Sequence, residues 1–494
     1  MSFRALKKTF QQDRELPPRA HDLSSLRRVI QGTQYDQIAQ EFHEETTNNG
    51  QTYVPIRQRR PSVRYPLCRL LVEDSISMLF SGDHLPTVTC SDEPTQTALL
   101  QIAKDCNLSQ ALIEAAMIGS VGSVVLFLRV LRNIVYVEAL KTEYLTPTWN
   151  PEAPDELVSV REKRKTRGKD LLDAGYDIAD EDVASMFWFE REWTAMSDTW
   201  FVPKLVDSRG EKAQGADVID KARTTQHDLG FVPMVWIKNL PGGDQNDGLP
   251  TFTPEMVDVQ IEIEYLLSQG GRGLKYSADP LLLIKEPAGT DSGDIVRSAS
   301  NALIVDKDGD AKLVEISGSA ATAIMEWVRF LRELALEGAH GNRASAEKLS
   351  AAQSGKAMEL MNQALIWLTD KLRVTYGEIG LLNLYGLIVK ASHKIKLLNR
   401  DGSKIAPMSL IDPLGLRWPD WYAPTSKDRQ EVATTLRILV DAGIMSREKA
   451  VETIASLYDI EDTKAELLLI EAEMQARNAM VQPAGVQEKI KVSE

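Results

Sequence analysis

Few residues in this chain of 494 are spaced as catalytic motifs require. The segment SAAQSGKA (350–357) contains the Gly-Lys pair of a phosphate-binding loop, but Ser350 replaces the first glycine and Ala357 replaces the magnesium-binding Ser/Thr. The segment SAEK (345–348) has SxxK spacing without the accompanying KTG. We therefore predict no catalytic residues and no nucleotide cofactor, and expect that the chain is not an enzyme.

Metal-ligand spacing is equally incomplete. DKDGD (306–310) resembles the start of a calcium loop, but Ala311 and Ser317 occupy the positions that need glycine and glutamate. The segment instead predicts a hairpin turn at Asp308-Gly309. The histidines and cysteines show neither ligand spacing nor CxxC pairs: His21, His43, His84, His227, His340, His393, Cys68, Cys90 and Cys106. We predict no metal site and no disulfide framework.

Two charged clusters each have two open interpretations. The basic run REKRKTRGK (161–169) is either a solvated hairpin or loop, or a contact for nucleic acid or an acidic partner. Glu255, Asp258 and Glu262 fall three and four residues apart, so on a helix they form one acidic stripe. This acidic stripe is either an ordinary solvated face or a functional surface.

Composition restricts the class of protein. Apolar residues make up 43% and charged residues 26%, which is ordinary globular usage. The N-terminus lacks an apolar signal-peptide core, and the longest charge-free stretch, 115–128, is too short for a membrane span, so we expect no membrane partner. The net charge of −14 argues against a protein that grips nucleic acid through its phosphates.

The first half of the chain predicts an α+β domain over 1 to about 245. Apolar spacing in YPLCRLLVEDSISMLF (65–80) predicts an amphipathic helix, and another helix is predicted from Glu93 to Met117. GSVGSVVLFLRVLRNIVYVEAL (119–140) is rich in β-branched residues and predicts paired strands, as do aromatic segments between 183 and 240.

Helices dominate the second half. Thr253 is a predicted N-cap for a helix that ends at Gly270, Gly271 and Gly273, and a helix over 319–337 has a core-facing stripe. A bent helix is predicted over 354–392, and three short helices over 426–441, 446–457 and 461–477, the first closed by Gly443. The stripe of the 319–337 helix consists of Ile324, Trp327, Val328, Leu331 and Leu334.

The order of these elements resembles a tailed-bacteriophage portal protein, the head-to-tail connector. The local matches are TPEMVDVQIEIEYLLSQ, YSADPLLLIKE, EKLSAAQSGKAMELMNQALIWLTDKL and PDWYAPTSKDRQEVATTLRILVDAGIMSREKAVETI, which lie between 250 and 458. The first 245 residues match in pattern only.

The resemblance implies a predominantly helical α+β subunit in a ring, usually dodecameric, with a channel for double-stranded DNA. It implies these parts: wing, 1–250; first stem helix, 251–273; clip, 274–318; second stem helix, 319–337; tunnel loop, 338–353; long bent wing helix and return strands, 354–425; crown, 426–477; and flexible tail, 478–494.

The implied site residues fall into three groups. The acidic stripe would line the channel. The tunnel loop would touch DNA through His340, Asn342, Arg343, Ser345 and Lys348. The clip would contact the terminase large subunit and later the head-tail adaptor protein through Lys285, Glu286, Asp306, Lys307 and Asp308.

The resemblance also implies a location and further partners. The ring would occupy one capsid vertex of a virion assembled in the host cytoplasm, touching major capsid and scaffold proteins. Two alternatives stay open: a nucleic-acid-processing enzyme that uses the basic run, and an unrecognised cytosolic α+β enzyme.

Overall fold

The computed structural model describes residues 2–47, 52–82, 84–207, 212–278, 281–287, 305–314, 319–339, 355–422, 426–455, 460 and 463–481. Helices account for 47% of the residues and strands for 19%, which confirms a mixed α+β fold in which helix predominates. The chain forms two compact units, one of residues 1–343 with 362–419 and the other of residues 344–361 with 420–494.

The first unit begins with helices α1 (Phe3–Lys7), α2 (Pro18–Gln31), α3 (Leu67–Phe80), α4 (Glu93–Asp105) and α5 (Leu108–Gly119). The amphipathic helix predicted over 65–80 is confirmed as α3, whose Leu71, Leu79 and Phe80 are buried in the main core. The prediction of a single helix over 93–117 is wrong. This segment is divided between α4 and α5, because Asn107 has a left-handed backbone, φ 51°, and an α-helix cannot continue through such a residue.

The described strands of this unit form a three-stranded sheet, a six-stranded sheet and two separate strand pairs, all antiparallel. The strands up to residue 238 are, in chain order, β1 (Thr87–Cys90), β2 (Ser123–Leu131), β3 (Ile134–Lys141), β4 (Leu145–Trp149), β5 (Leu157–Arg167), β6 (Met186–Thr194), β7 (Ser197–Trp200), β8 (Lys204–Leu205), β9 (Thr225–Gln226) and β10 (Met234–Lys238). The predicted strand pair is confirmed as β2 and β3, joined at Arg132-Asn133, where both residues have positive φ as a tight hairpin turn requires.

The smaller sheet has the strand order β10-β2-β3, and the larger has β4-β5-β6-β7-β9, with β8 paired to β6. Helix α6 (Gly168–Asp173) directly follows β5. Side chains of both sheets share a cluster that includes Phe127, Val160, Trp193 and Trp236, so the two sheets pack on each other. Short 3₁₀ turns complete the region at Ile56–Gln58, Thr142–Tyr144 and Asp180–Asp182.

Two long helices follow, α7 (Pro254–Ala278) and α8 (Ser319–Gly338), and they pack on each other. Thr253 is confirmed as the N-cap of α7, since its hydroxyl accepts the N–H of Met256 at 3.3 Å. The predicted end at Gly270 is wrong because α7 continues through the glycines. A Cβ at Gly270 would lie 3.4 Å from the side chain of Ile324, so packing against α8 offsets the low helix propensity of glycine there.

Between these helices lie strands β11 (Leu281–Pro287) and β12 (Val305–Val314), paired antiparallel. The hairpin turn predicted at Asp308-Gly309 is wrong, because both residues lie inside β12. Pairing of Leu281 with Val314 and Leu282 with Leu313 places the apolar ends of both segments together, and a register shift lies between Lys285 and Pro287. The connection between the two strands, 288–304, is outside the described residues.

The helix predicted over 354–392 is interrupted. It comprises α9 (Gly355–Met361), α10 (Gln363–Leu372), a π-helical segment (Arg373–Leu381) and α11 (Leu382–Ser392). Added Cβ atoms at Gly377 and Gly380 would lie 2.5–2.6 Å from Trp418 and Ile237, so glycine permits close packing at the irregular segment. Strand β13 (Leu414–Arg417) then pairs antiparallel with β1.

The second unit contains α9 with helices α12 (Ser426–Asp441), α13 (Arg447–Ala455) and α14 (Thr463–Val481). The three predicted short helices are thus confirmed in number and approximate position. Gly443 has φ 69°, and its N–H bonds to the carbonyl of Val440 at 3.0 Å, as expected of a left-handed residue that closes α12.

Candidate nucleic-acid interface

The acidic stripe lies on the solvent-facing side of α7. Glu255 and Asp258 are exposed and Glu262 is half-buried, whereas the intervening Met256 and Ile261 are buried in the main core. The three carboxylates therefore share one face, as their spacing predicts.

Two of the three carboxylates already have protein partners. Asp258 Oδ1 accepts the N–H of Phe3, the first residue of α1, at 2.5 Å. Glu262 Oε2 lies 3.6 Å from Arg57 Nη2, a surface pair of an exposed arginine and a half-buried glutamate that contributes about 0–1 kcal/mol. Both partners leave the stripe on the surface of the isolated chain.

A fourth acid on the same helix, Glu264, is buried, and the spacing argument does not single it out. Val257, Ile261 and Leu267 lie seven residues before, three before and three after Glu264, so helical spacing places it on the apolar face, which is the signal that could have found it. Its side chain is only 1% exposed, and one carboxylate oxygen accepts the hydroxyl of Tyr35 at 2.6 Å. The other oxygen accepts the N–H of Tyr65 at 3.1 Å.

Glu264 and its neighbours attach α7 to the segment before α3. Gln260 donates to Glu264 at 3.2 Å and accepts the N–H of Cys68 at 3.0 Å. Burial raises the pKa of Glu264, although the hydrogen bond from Tyr35 opposes that shift. Burial, together with the nearby carboxylate, likewise raises the pKa of Tyr35. This buried network fixes the position of the acidic stripe on the molecule.

The basic run 161–169 is not a solvated loop, and most of its cations are ion-paired within the chain. Most of it forms β5, an inner strand of the six-stranded sheet, so its side chains alternate between two faces. Arg161, Lys163 and Lys165 lie on one face, and Glu162 and Arg164 on the other. The prediction of a solvated hairpin or loop is wrong, because β6 pairs with residues 159–167 and β4 pairs with the first part of β5 up to Glu162.

The first face of β5 is neutralised by acids from distant parts of the chain. Glu190, 2% exposed, pairs with Arg161 and lies 3.6 Å from Lys163 and 3.5 Å from Lys204. Asp217 also pairs with Arg161, at 2.6 Å, and hydrogen bonds from Lys204 and Arg161 lower its pKa to about 2.

Two N-terminal acids complete this neutralisation. Glu15 lies 2.7 Å from Lys163, and Asp13 pairs with Lys165. Both lysines also lie about 5 Å from the ring of Trp188, at 5.1 and 5.0 Å, which is cation–π distance. Because Arg161, Lys163 and Lys165 are matched by acids within the chain, this face of β5 offers little free positive charge to a phosphate backbone. Arg167 and Lys169, at the end of the run, are exposed.

The stripe predicted to face the core on α8 is only partly buried. Val328 and Leu331 pack toward the core and Ile324 packs at Gly270 of α7, but Trp327 and Leu334 are exposed, so the prediction is wrong for these two. The apolar surface of α8 is wider than the neighbouring α7 and core can cover. Trp327, Phe330 and Leu334 are 50%, 52% and 51% exposed, and the first two rings stack with centroids 5.3 Å apart. We call these three residues the aromatic face.

The other predicted contact residues have no described side-chain environment. The tunnel-loop residues His340, Asn342, Arg343, Ser345 and Lys348 lie outside the described residues. For the clip residues the backbone alone is described: Lys285 and Glu286 in β11, and Asp306, Lys307 and Asp308 in β12.

Among the described residues, no three His, Cys, Asp or Glu side chains converge as a metal site would require. In the same part of the chain, no helix combines the length and apolar character needed to cross a bilayer. Comparison of the sequence with models of known protein families and with curated proteins finds no match.

Proposed function

We propose that this chain is the subunit of a tailed-bacteriophage portal. In this proposal a ring of copies, usually twelve, lies at one capsid vertex. Double-stranded DNA enters and leaves the virion through this ring. The ring binds the terminase large subunit during packaging and the head-tail adaptor afterwards, and contacts major capsid and scaffold proteins during assembly in the host cytoplasm. ATP hydrolysis belongs to the terminase, so the portal itself is not an enzyme.

The aromatic face of α8 is the observation that carries the proposal. A fully buried large apolar side chain contributes about 1.5–3 kcal/mol relative to an exposed one, so three half-exposed side chains on one helix favour association. A neighbouring subunit in a ring supplies such a cover. Lateral packing of this kind also requires a long helical pair that is firmly joined to the rest of the subunit, as α7 is through Glu264.

The charge of the molecule is compatible with a sliding contact to DNA. Tight binding uses Lys and Arg to displace counterions from phosphates, and such binding would resist translocation. Repeated around a ring, the acidic stripe would give the channel wall a negative charge, which repels the phosphate backbone. The net charge of −14 fits this role better than it fits a protein that grips DNA.

The basic run supports this proposal over a nucleic-acid-processing enzyme. That alternative depended on free cations at 161–169, and Arg161, Lys163 and Lys165 are instead paired with acids of the same chain. No described feature favours the other alternative, an unrecognised cytosolic enzyme.

Negative-stain imaging and native mass spectrometry of the purified chain test the proposal. We expect rings with a central hole, formed alone or after addition of scaffold protein, across a series of salt and magnesium concentrations. A strict monomer under all these conditions, with scaffold included, would refute the proposal. Metal-dependent cleavage of DNA by the same preparation would favour the enzyme alternative.

A further inference from the structure

The N-terminal acids Asp13 and Glu15 lie against a row of cations on β5. Arg161, Lys163 and Lys165, which we call the basic row, follow one another at every second position of this strand. Their Cα atoms are therefore about 6.8 Å apart, since an antiparallel strand rises about 3.4 Å per residue. Glu15 lies 2.7 Å from Lys163, and Asp13 pairs with Lys165. Two carboxylates two residues apart thus meet two lysines two residues apart, as in the binding of a linear acidic ligand.

The two lysines of the basic row are held by the sheet that carries them. Their ammonium groups, Lys163 Nζ and Lys165 Nζ, lie 5.1 and 5.0 Å from the centre of one indole ring, that of the fully buried Trp188. With the N-terminal acids in place, the two lysine side chains are still 22% and 15% exposed. Cations fixed at a regular spacing lose little conformational entropy when a polyanion binds, so the row is suited to a phosphate backbone.

The segment that carries the two acids is a surface layer between two anchors. Phe10, before the segment, is buried in the main core, and α2 begins at Pro18, after it. None of residues 11–16 is buried. The two acids can therefore be neutralised by substitution without the loss of a core side chain.

We propose that Asp13 and Glu15 mask the basic row and that the row, once unmasked, binds the phosphate backbone of DNA. Neutralising the two acids raises the charge of this face by two units, whereas Glu190 and Asp217 continue to pair with Arg161. Affinity for phosphates comes mainly from Lys and Arg, so the unmasked chain binds DNA more tightly. Such masking requires no ring, so it goes beyond the proposed function. It also lets a subunit that carries a basic run surround DNA without gripping it.

DNA binding by an unmasked variant tests the proposal. The variant is Asp13→Asn/Glu15→Gln in the full chain, and the probe is a fluorescently labelled short DNA duplex, followed by anisotropy between about 50 and 200 mM salt. Each added phosphate contact steepens the dependence of log K on log salt by about 0.9, so two contacts steepen it by about 1.8. Over this roughly fourfold range of salt, we expect the variant to lose about tenfold more affinity than the native chain loses. Glu15→Gln alone should show about half of the change in slope.

Two further variants separate masking from net charge. Glu152→Gln/Asp155→Asn removes the same number of charges from exposed acids in the loop before β5. These two acids make no described ion pair, so this control should keep the native slope. Lys163→Gln/Lys165→Gln, added to the unmasked variant, should return the slope to that of the native chain. Urea unfolding of each variant checks that it folds.

Three results would overturn the masking proposal. A slope in the unmasked variant equal to that of the control would show that the acids mask nothing. A steeper slope that persists after both lysines are replaced would place the DNA contact elsewhere on the chain. Binding of labelled oligoglutamate in place of DNA would exclude DNA as the ligand and identify an acidic protein segment instead. Ring formation by the same preparations is scored separately in negative stain, so loss of the portal proposal would leave the DNA-binding result standing.

Discussion

Replacing Glu264 should loosen α7 from the rest of the subunit. In Glu264→Ala, the hydroxyl of Tyr35 and the N–H of Tyr65 lose the acceptor they bond at 2.6 and 3.1 Å. A buried donor left without a partner costs about 1–3 kcal/mol, so two such donors cost about 2–6 kcal/mol. The truncated side chain adds a cavity. We expect the free energy of unfolding to fall by roughly 3–5 kcal/mol, the middle of that range.

Glu264→Gln separates the hydrogen bonds from the charge. The amide keeps one acceptor for Tyr35 but presents an NH₂ group where Tyr65 or Gln260 donates, so we expect a smaller loss of about 1–2 kcal/mol. Burial raises the pKa of Glu264 in the folded state, so the folded chain binds this proton more tightly than the unfolded chain does.

This proton binding gives a pH dependence with a defined sign. The native protein should gain stability as pH falls from above the raised pKa of Glu264 toward its usual value of 4.5. Glutamine does not titrate. The stability difference between the native protein and Glu264→Gln should therefore widen as pH falls through that interval.

The assay is urea unfolding at one protein concentration, followed by tryptophan fluorescence, together with hydrogen exchange of peptides that cover α7. Glu255→Ala is the matched control, because Glu255 is an exposed glutamate on the same helix. It should change the free energy of unfolding by less than about 0.5 kcal/mol. If Glu264→Ala unfolds like this control and leaves exchange in α7 unchanged, the buried network does not hold the helix.

Four further outcomes are expected. Trp327→Lys should prevent or weaken ring formation without unfolding the chain, whereas the control Glu326→Lys on the same helix should leave ring formation unchanged. Equal ring yields for the two variants in negative stain would contradict this prediction. Replacing all three acids of the acidic stripe by glutamine should increase the retention of DNA by assembled rings at low salt, and it should also slow DNA packaging. Unchanged DNA retention in a filter assay would count against a channel position for the stripe. Glu190→Gln should lower the free energy of unfolding by about 2–3 kcal/mol, because its cation partners stay half-buried without their acid. Glu192 makes no described ion pair, so Glu192→Gln should have little effect in the same urea assay. Deleting 341–350 should permit ring assembly but impair DNA packaging, and normal packaging would refute the tunnel-loop assignment.

Local structure could be predicted from local sequence. The strands β2 and β3 followed from their β-branched residues, and the hydroxyl of Thr253 caps the helix that its position predicts. Gly443 closes α12 with the left-handed backbone that glycine adopts most easily. The shared face of Glu255, Asp258 and Glu262 depends only on helical spacing. These features involve residues close together in the chain, so the sequence alone contains the information needed.

The tertiary structure decided which of these residues are free. Three cations of β5, Arg161, Lys163 and Lys165, are neutralised by acids between 27 and about 150 positions away, and no local pattern brings them together. These acids are Asp13, Glu15, Glu190 and Asp217. Burial of Glu264 and exposure of Trp327 likewise depend on which neighbours pack against α7 and α8. Helix α7 extends past three glycines, the first of which, Gly270, packs against Ile324 of α8, and such packing offsets low helix propensity. Sequence periodicity determined which residues share a face, and long-range packing determined whether that face meets protein or solvent.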